Sequence, residues 1–214
     1  MTASAPSVGF PLAVVCWAVL AVVVAGLAFF AVIYVQDVTP VGSLTRDPTV
    51  TAEEPWYLGA ASSLGAIGWA AAAAFFGFAA LLVRRAGGVG STSLALAALY
   101  SLLLLVDDVF LLHDDILLRA IGSEIPVYAA YLALGAAWLA SGFRLLEPPT
   151  ALLLVLSTGL LGLSVTIDIA WQSDSDLRLV VEDGAKFIGI WLWALFALAM
   201  GTAAIERATA RRGV

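Results

Sequence analysis

The chain is poor in most of what soluble catalysis draws on. A single cysteine, Cys16, leaves no intramolecular disulfide and no thiolate metal site. The single histidine, His113, excludes a zinc centre built on three imidazoles. Lysine occurs once, at 186. Charged residues make up only 12% of the 214, against roughly 25% in a soluble domain. No P-loop, GxSxG or HExxH pattern occurs. No polar stretch exceeds about twenty residues, so nothing marks a second domain.

What is present is apolar. Hydrophobic residues account for 62% of the chain, gathered in six runs over roughly 11–35, 56–83, 93–112, 126–143, 150–170 and 181–205. About 20 residues of helix cross ~30 Å of hydrocarbon. The runs therefore predict an all-α polytopic membrane protein, a six-transmembrane-helix bundle forming one integral domain over 1–214. The first run is expected to stay as a membrane helix. Residues 1–10 carry no Lys or Arg, and the 25 apolar residues that follow exceed the core of a signal peptide. The connections carry turn chemistry: three prolines in 36–55, a Gly-rich segment over 84–92, Pro148 and Pro149, and a polar hairpin over 171–178.

Charge in the connections predicts the orientation. One set, made of the N-terminus, 84–92, 144–150 and the C-terminus, holds Arg84, Arg85, Arg144, Arg207, Arg211 and Arg212 against Glu147 and Glu206. The other set, with the helix ends that face it, holds Arg46, Arg119, Arg178 and Lys186 against fourteen acidic residues. The positive set is expected in the cytoplasm, with the N- and C-termini both inside a multi-pass protein of the cell membrane. Tyr34, Trp56, Tyr57, Tyr128 and Trp171 fall near the outer ends, as an aromatic belt would.

The unusual chemistry is gathered toward that outer side. The third run contains Asp107 and Asp108, followed by His113, Asp114 and Asp115. The fifth closes on Asp168, and the sixth opens on Glu182, Asp183 and Lys186. At 100° per residue, Asp107, Asp108, Asp114 and Asp115 share an arc of about 120°. His113 lies outside that arc and joins it only if the helix ends or bends near residue 112. Ser157, Ser164 and Asp168 form a stripe on the fifth run. Glu182 and Lys186 are spaced i, i+4 with the acid first, the better order for a structural ion pair.

An ionised aspartate near the centre of a membrane helix costs about 2.5–3.5 kcal/mol. Five carboxylates against one intramembrane lysine therefore need protons or a bound cation. Asp107, Asp108, Asp168 and Glu182 are expected to converge, with a divalent cation as the possible cofactor and these four acids as its ligands. Asp107, Asp108, His113 and Glu182 are the candidate catalytic groups. Plainer roles compete with these. Asp107 or Asp108 could pair structurally with Arg119 or Lys186, and Glu53, Glu54, Asp114, Asp115, Asp174 and Asp176 suit solvated loops. The acidic outer surface also suits high salt, and Ser62 and Ser63, among Gly59, Gly65 and Gly68, suit close helix packing.

Three functions follow as expectations. One is a metal-assisted membrane enzyme acting on a lipid-like substrate at the outer leaflet. The second is a cation- or proton-handling transporter or channel-like protein, and the third a non-catalytic assembly or sensory component. Membrane lipids and a lipid-like or ionic ligand are the expected partners; nucleic acid is not. The Asp107–Asp108 pair lacks the DDxxD spacing of aspartate-rich prenyltransferases.

Overall fold

The computed structural model describes residues 12–45, 48–55, 57–171 and 175–210. Arg46, Trp56, Asp174, Arg211 and Arg212, singled out above, lie outside them, as do the side chains of Asp114 and Arg144. The described residues fold as helices joined by short turns, with no strand among them. Contacts divide the chain into two compact units, 1–58 and 59–214.

The first unit carries α1 (Leu12–Val35), α2 (Val41–Thr45) and α3 (Pro48–Thr51). Gln36 ends α1. Its amide nitrogen donates to the carbonyls of Ile33 and Thr39, and its amide oxygen accepts from the backbone of Val38 and Thr39. The 36–55 connection thus contains two short helical turns.

The second unit carries α4 (Ala60–Arg85), α5 (Ser91–Phe110), a π-helical turn (Leu112–Ile116), α6 (Leu117–Ile121), α7 (Ile125–Gly142), a 3-10 turn (Phe143–Leu145), α8 (Pro148–Ala170) and α9 (Asp176–Ala210). Local signals set several of these boundaries. Gly59 precedes α4 at φ 68°, a conformation that costs glycine little. Arg84 and Arg85 close α4, where cations complement the helix dipole. Prolines occupy the first turns of α7 and α8, where their missing N–H is no loss. Glu147 and Thr150 add a capping box to α8.

Five helices, α4, α5, α7, α8 and α9, are long and apolar enough to cross a membrane. Their outward faces agree with that: Leu132, Val155 and Val180 are 75%, 65% and 69% exposed. A surface so apolar suits lipid rather than water.

The long α9 packs on both α4 and α8, α4 packs on α5, and α5 packs on α7. At the centre, the Trp193 ring meets Trp69, Phe76, Tyr100, Trp138 and Phe196 at centroid distances of 5.4–6.3 Å. Each such aromatic pair adds about 0.5–1.5 kcal/mol beyond area burial. Two of the indole N–H groups find acceptors: Trp193 donates to the Ser101 hydroxyl at 2.9 Å and Trp138 to the Ser93 carbonyl at 3.1 Å. Small residues let the backbones close in. A Cβ on Gly189 would stand 2.9 Å from Leu161 Cγ, and one on Gly68 would stand 2.7 Å from Ile190 Cγ2. Gly59 has no such neighbour, so its role is the turn and not the packing.

The two ends of this unit differ. At one, Arg207 near the end of α9 donates to Glu147 Oε1 at 2.8 Å and to the Leu145 carbonyl at 3.1 Å. The turn at Gly88 abuts Ala208 at the same end. The other end gathers the close of α5, the start of α7, the close of α8 and the start of α9, and it holds the acids.

Candidate functional site

The end of α5 builds the first half of the site. The helix stops at Leu111, which takes φ 52° and ψ 45°, a left-handed conformation that a leucine adopts at a cost of about 1–2 kcal/mol. The chain then turns through the π-helical segment 112–116. This break returns His113 to Asp107. The His113 backbone N–H donates to Asp107 Oδ1 at 2.9 Å, and His113 Nδ1 lies 2.7 Å from Asp107 Oδ2. When Asp107 is ionised it can only accept, and Nδ1 is then the donor. Both residues are buried, with 5% and 9% exposure. The condition that the helix must end near 112 for His113 to join the acids is met one residue earlier.

The dyad looks toward α7. The His113 ring packs on Tyr128 at 5.3 Å between centroids, and the Tyr131 phenol faces Asp107. The Tyr128 hydroxyl donates to Asp168 Oδ2 on α8 at 3.2 Å. Asp168 Oδ1 accepts from Arg178 Nη2 on α9 at 3.0 Å, and the same nitrogen lies 2.9 Å from Glu182 Oε2. The contact with Glu182 is an ion pair without the alignment of a hydrogen bond. One connected set of groups thus runs from Asp107 through His113, Tyr128, Asp168 and Arg178 to Glu182.

Asp108 faces elsewhere. One residue on, it is rotated by about 100°, enough to point it at α9, where Lys186 Nζ lies 2.5 Å from its Oδ1. This pair lines a cleft of about 260 Å³ between the ends of α4, α5 and α9, together with Ser62 and Asp183.

The structure therefore brings Asp107 and His113 together, links them through Tyr128 to Asp168 and Glu182, and gives Asp108 a separate partner. Among the described residues, no group of three or more His, Cys, Asp or Glu is placed to hold a metal ion. The reason lies in the cations on hand. Lys186 pairs with Asp108, Arg178 bridges Asp168 and Glu182, and the His113 imidazole meets Asp107, so each of these four carboxylates already has a basic partner. The i, i+4 ion pair expected between Glu182 and Lys186 is re-partnered, since Glu182 takes Arg178 one turn back and Lys186 reaches across to Asp108.

Asp115 pairs with Arg119 at 2.6 Å on an exposed face, as a solvated acid would. Ser157 and Ser164 are buried, and Ser157 donates to the Gly189 carbonyl of α9 at 2.9 Å. The stripe that ends on Asp168 therefore runs along the α8 face turned to α9.

Arg178 and the tyrosines 128 and 131 are the site residues that sequence reasoning missed as such. Arg178 stands four residues before Glu182 and ten after Asp168, a spacing that could have placed it between them had the last helix been started at Asp176.

A family model described as Domain of unknown function (DUF8692) matches residues 15–200. No curated protein and no solved structure matches the chain. With the match running over most of its 214 residues, the chain belongs to the DUF8692 family.

Proposed function

We propose that the protein is a proton-responsive, sensory component of the cell membrane, a single integral domain that crosses it six times with both termini in the cytoplasm. α1 supplies the sixth crossing beside the five helices long and apolar enough to span. The orientation rests on charge. Arg84, Arg85 and Arg207 lie at the end of α4–α9 where Glu147 is held, and the acids lie at the opposite end, which then faces outward.

The observation that carries the reading is the buried Asp107–His113 pair, 2.7 Å apart, in a helix break and joined through Tyr128 to the Asp168–Arg178–Glu182 group. Histidine is the side chain that changes charge between about pH 5 and 8, and this chain has only one. A change of charge at His113 alters its hold on Asp107, and that hold fixes the π-helical turn through the His113 backbone N–H. A basic side chain beside each of Asp107, Asp108, Asp168 and Glu182 supports protons over a shared divalent cation. On α9 no ionisable residue follows Lys186 until Glu206, which supports sensing at the outer face over conduction through the membrane.

Tryptophan emission of the full chain in maltoside micelles, followed from pH 5 to 8, tests this. The reading expects one reversible transition that His113→Gln abolishes while the helical circular dichroism stays. A pH response that persists in His113→Gln would remove it.

A second reading, an outer-leaflet enzyme on a lipid-like substrate, is favoured by the cleft beside Asp108, Asp183 and Lys186. It expects Asp108→Asn to abolish turnover of a lipid substrate with the pH response of His113 retained.

A further inference from the structure

The cleft beside Asp108 does not end at its polar wall. It adjoins an apolar groove of about 550 Å³ along the outward faces of α4 and α9, and the two share Ala61, Asp183 and Phe187. Leu64, Leu179, Val180 and Ile188 line the groove. Its volume falls within the roughly 300–1,000 Å³ of small-molecule sites. A chamber that holds Asp108, Asp183 and Lys186 and opens into an apolar trough at the charged end of a membrane helix pair has the shape of an amphiphile.

Charge identifies the headgroup. Asp107, Asp108, Asp168 and Glu182 each have a cationic or imidazole partner. Asp183 has neither a hydrogen bond nor an ion pair among the described residues, and it stands where cleft and groove meet. Lys186 is engaged by Asp108 at 2.5 Å, so the cleft as built carries one carboxylate in excess. An anionic headgroup would meet that carboxylate unfavourably and would have to draw Lys186 away from Asp108. A cationic one completes the balance. Phe187, shared by both cavities, adds an aromatic wall of the kind that attracts ammonium groups.

We propose that the cleft and groove joined at Asp183 form one binding site for an amphiphile with a compact ammonium headgroup and an alkyl chain. The headgroup lies against Asp183 and Phe187, and the chain lies along Leu64, Val180 and Ile188. The site stands apart from the proton reading, whose dyad faces α7.

Native mass spectrometry of the full chain released from maltoside micelles tests it. The added probes are dodecyltrimethylammonium, dodecyl sulfate and tetramethylammonium. The proposal expects a saturable one-to-one adduct with dodecyltrimethylammonium, and at least tenfold weaker occupancy with each of the other two. Asp183→Asn should weaken the adduct at least tenfold, whereas Asp183→Glu, which keeps the charge, should stay within about threefold of the unaltered chain. Val180→Trp, which fills the groove, should weaken it as Asp183→Asn does. Equal binding of dodecyl sulfate, full binding by Asp183→Asn, or tetramethylammonium binding as tightly as its dodecyl counterpart would each overturn the proposal. The last of these would assign the cleft to a soluble ammonium ion instead. His113→Gln should leave every one of these results unchanged, so the failure of either reading is visible separately.

Discussion

The aromatic centre of the 59–214 unit and its charged end both bury polar groups, and they do so in opposite ways. At the centre, neutral donors meet neutral acceptors across the helices: Trp193 with Ser101, Trp138 with the Ser93 carbonyl. Neither partner carries a charge, and the rings around them supply the contact. At the charged end, Asp107, Asp108, Asp168 and Glu182 are each held by a cation or imidazole, and Arg178 serves two of them at once. Removing a neutral partner strands a dipole; removing a charged one strands an ion in surroundings that solvate it poorly. The centre is thus built to stay as it is. The charged end is built of groups whose balance one proton changes.

Substitutions can break this comparison in graded steps, read as unfolding free energy in mild detergent. The largest loss is expected from Trp193→Ala, about 4 kcal/mol, because it removes the ring on which five others pack. A loss under about 1 kcal/mol there would mean that the centre does not hold the unit. Arg178→Met should follow at about 3 kcal/mol, since it strands Asp168 and Glu182 together. That loss should shrink when the same variant is measured in acid, where the two carboxyls take up protons; a loss independent of pH would show that Arg178 acts by packing. Ser101→Ala should cost about 1 kcal/mol, the price of one buried indole N–H left alone. Arg119→Ala, whose pair with Asp115 is exposed, should stay within about 0.5 kcal/mol of the unaltered protein, and a larger effect would give that pair a role beyond the surface.

The spanning helices were legible because a run of about 20 apolar residues has few other destinations. The cores of α4, α5, α7, α8 and α9 lie within the runs read from the chain. The ends were less legible. Nothing in the residue type of Leu111 signals a left-handed turn, so the third apolar run reads on to 112 and the place of His113 depends on where the helix ends. The condition on His113 is legible all the same, because angular position on a helical wheel follows from residue number alone. The same wheel grouped Asp107 with Asp108 on one arc, and here it was too coarse. An arc of about 120° is wide enough to face two different neighbours, and α7 and α9 each took one acid. The i, i+4 spacing of Glu182 and Lys186 was a local rule overridden by tertiary partners, since Asp108 competes for the lysine and Arg178 for the glutamate. Polar residues at 171–178 hide the start of α9 at Asp176, so Arg178 reads from the sequence as part of a hairpin. Those partners lie far off in sequence and come close only when helices pack, which no spacing along one chain reveals.

The most direct test of the proton reading is the nitrogen resonance of the one imidazole in the chain. With histidine labelled in this chain, the spectrum holds a single side-chain system to follow across pH 5 to 8. The account predicts that His113 titrates in that window with Nδ1 hydrogen-bonded, and that Asp107→Asn moves both the midpoint and the Nδ1 shift. An imidazole that titrates identically in the unaltered protein and in Asp107→Asn would contradict it.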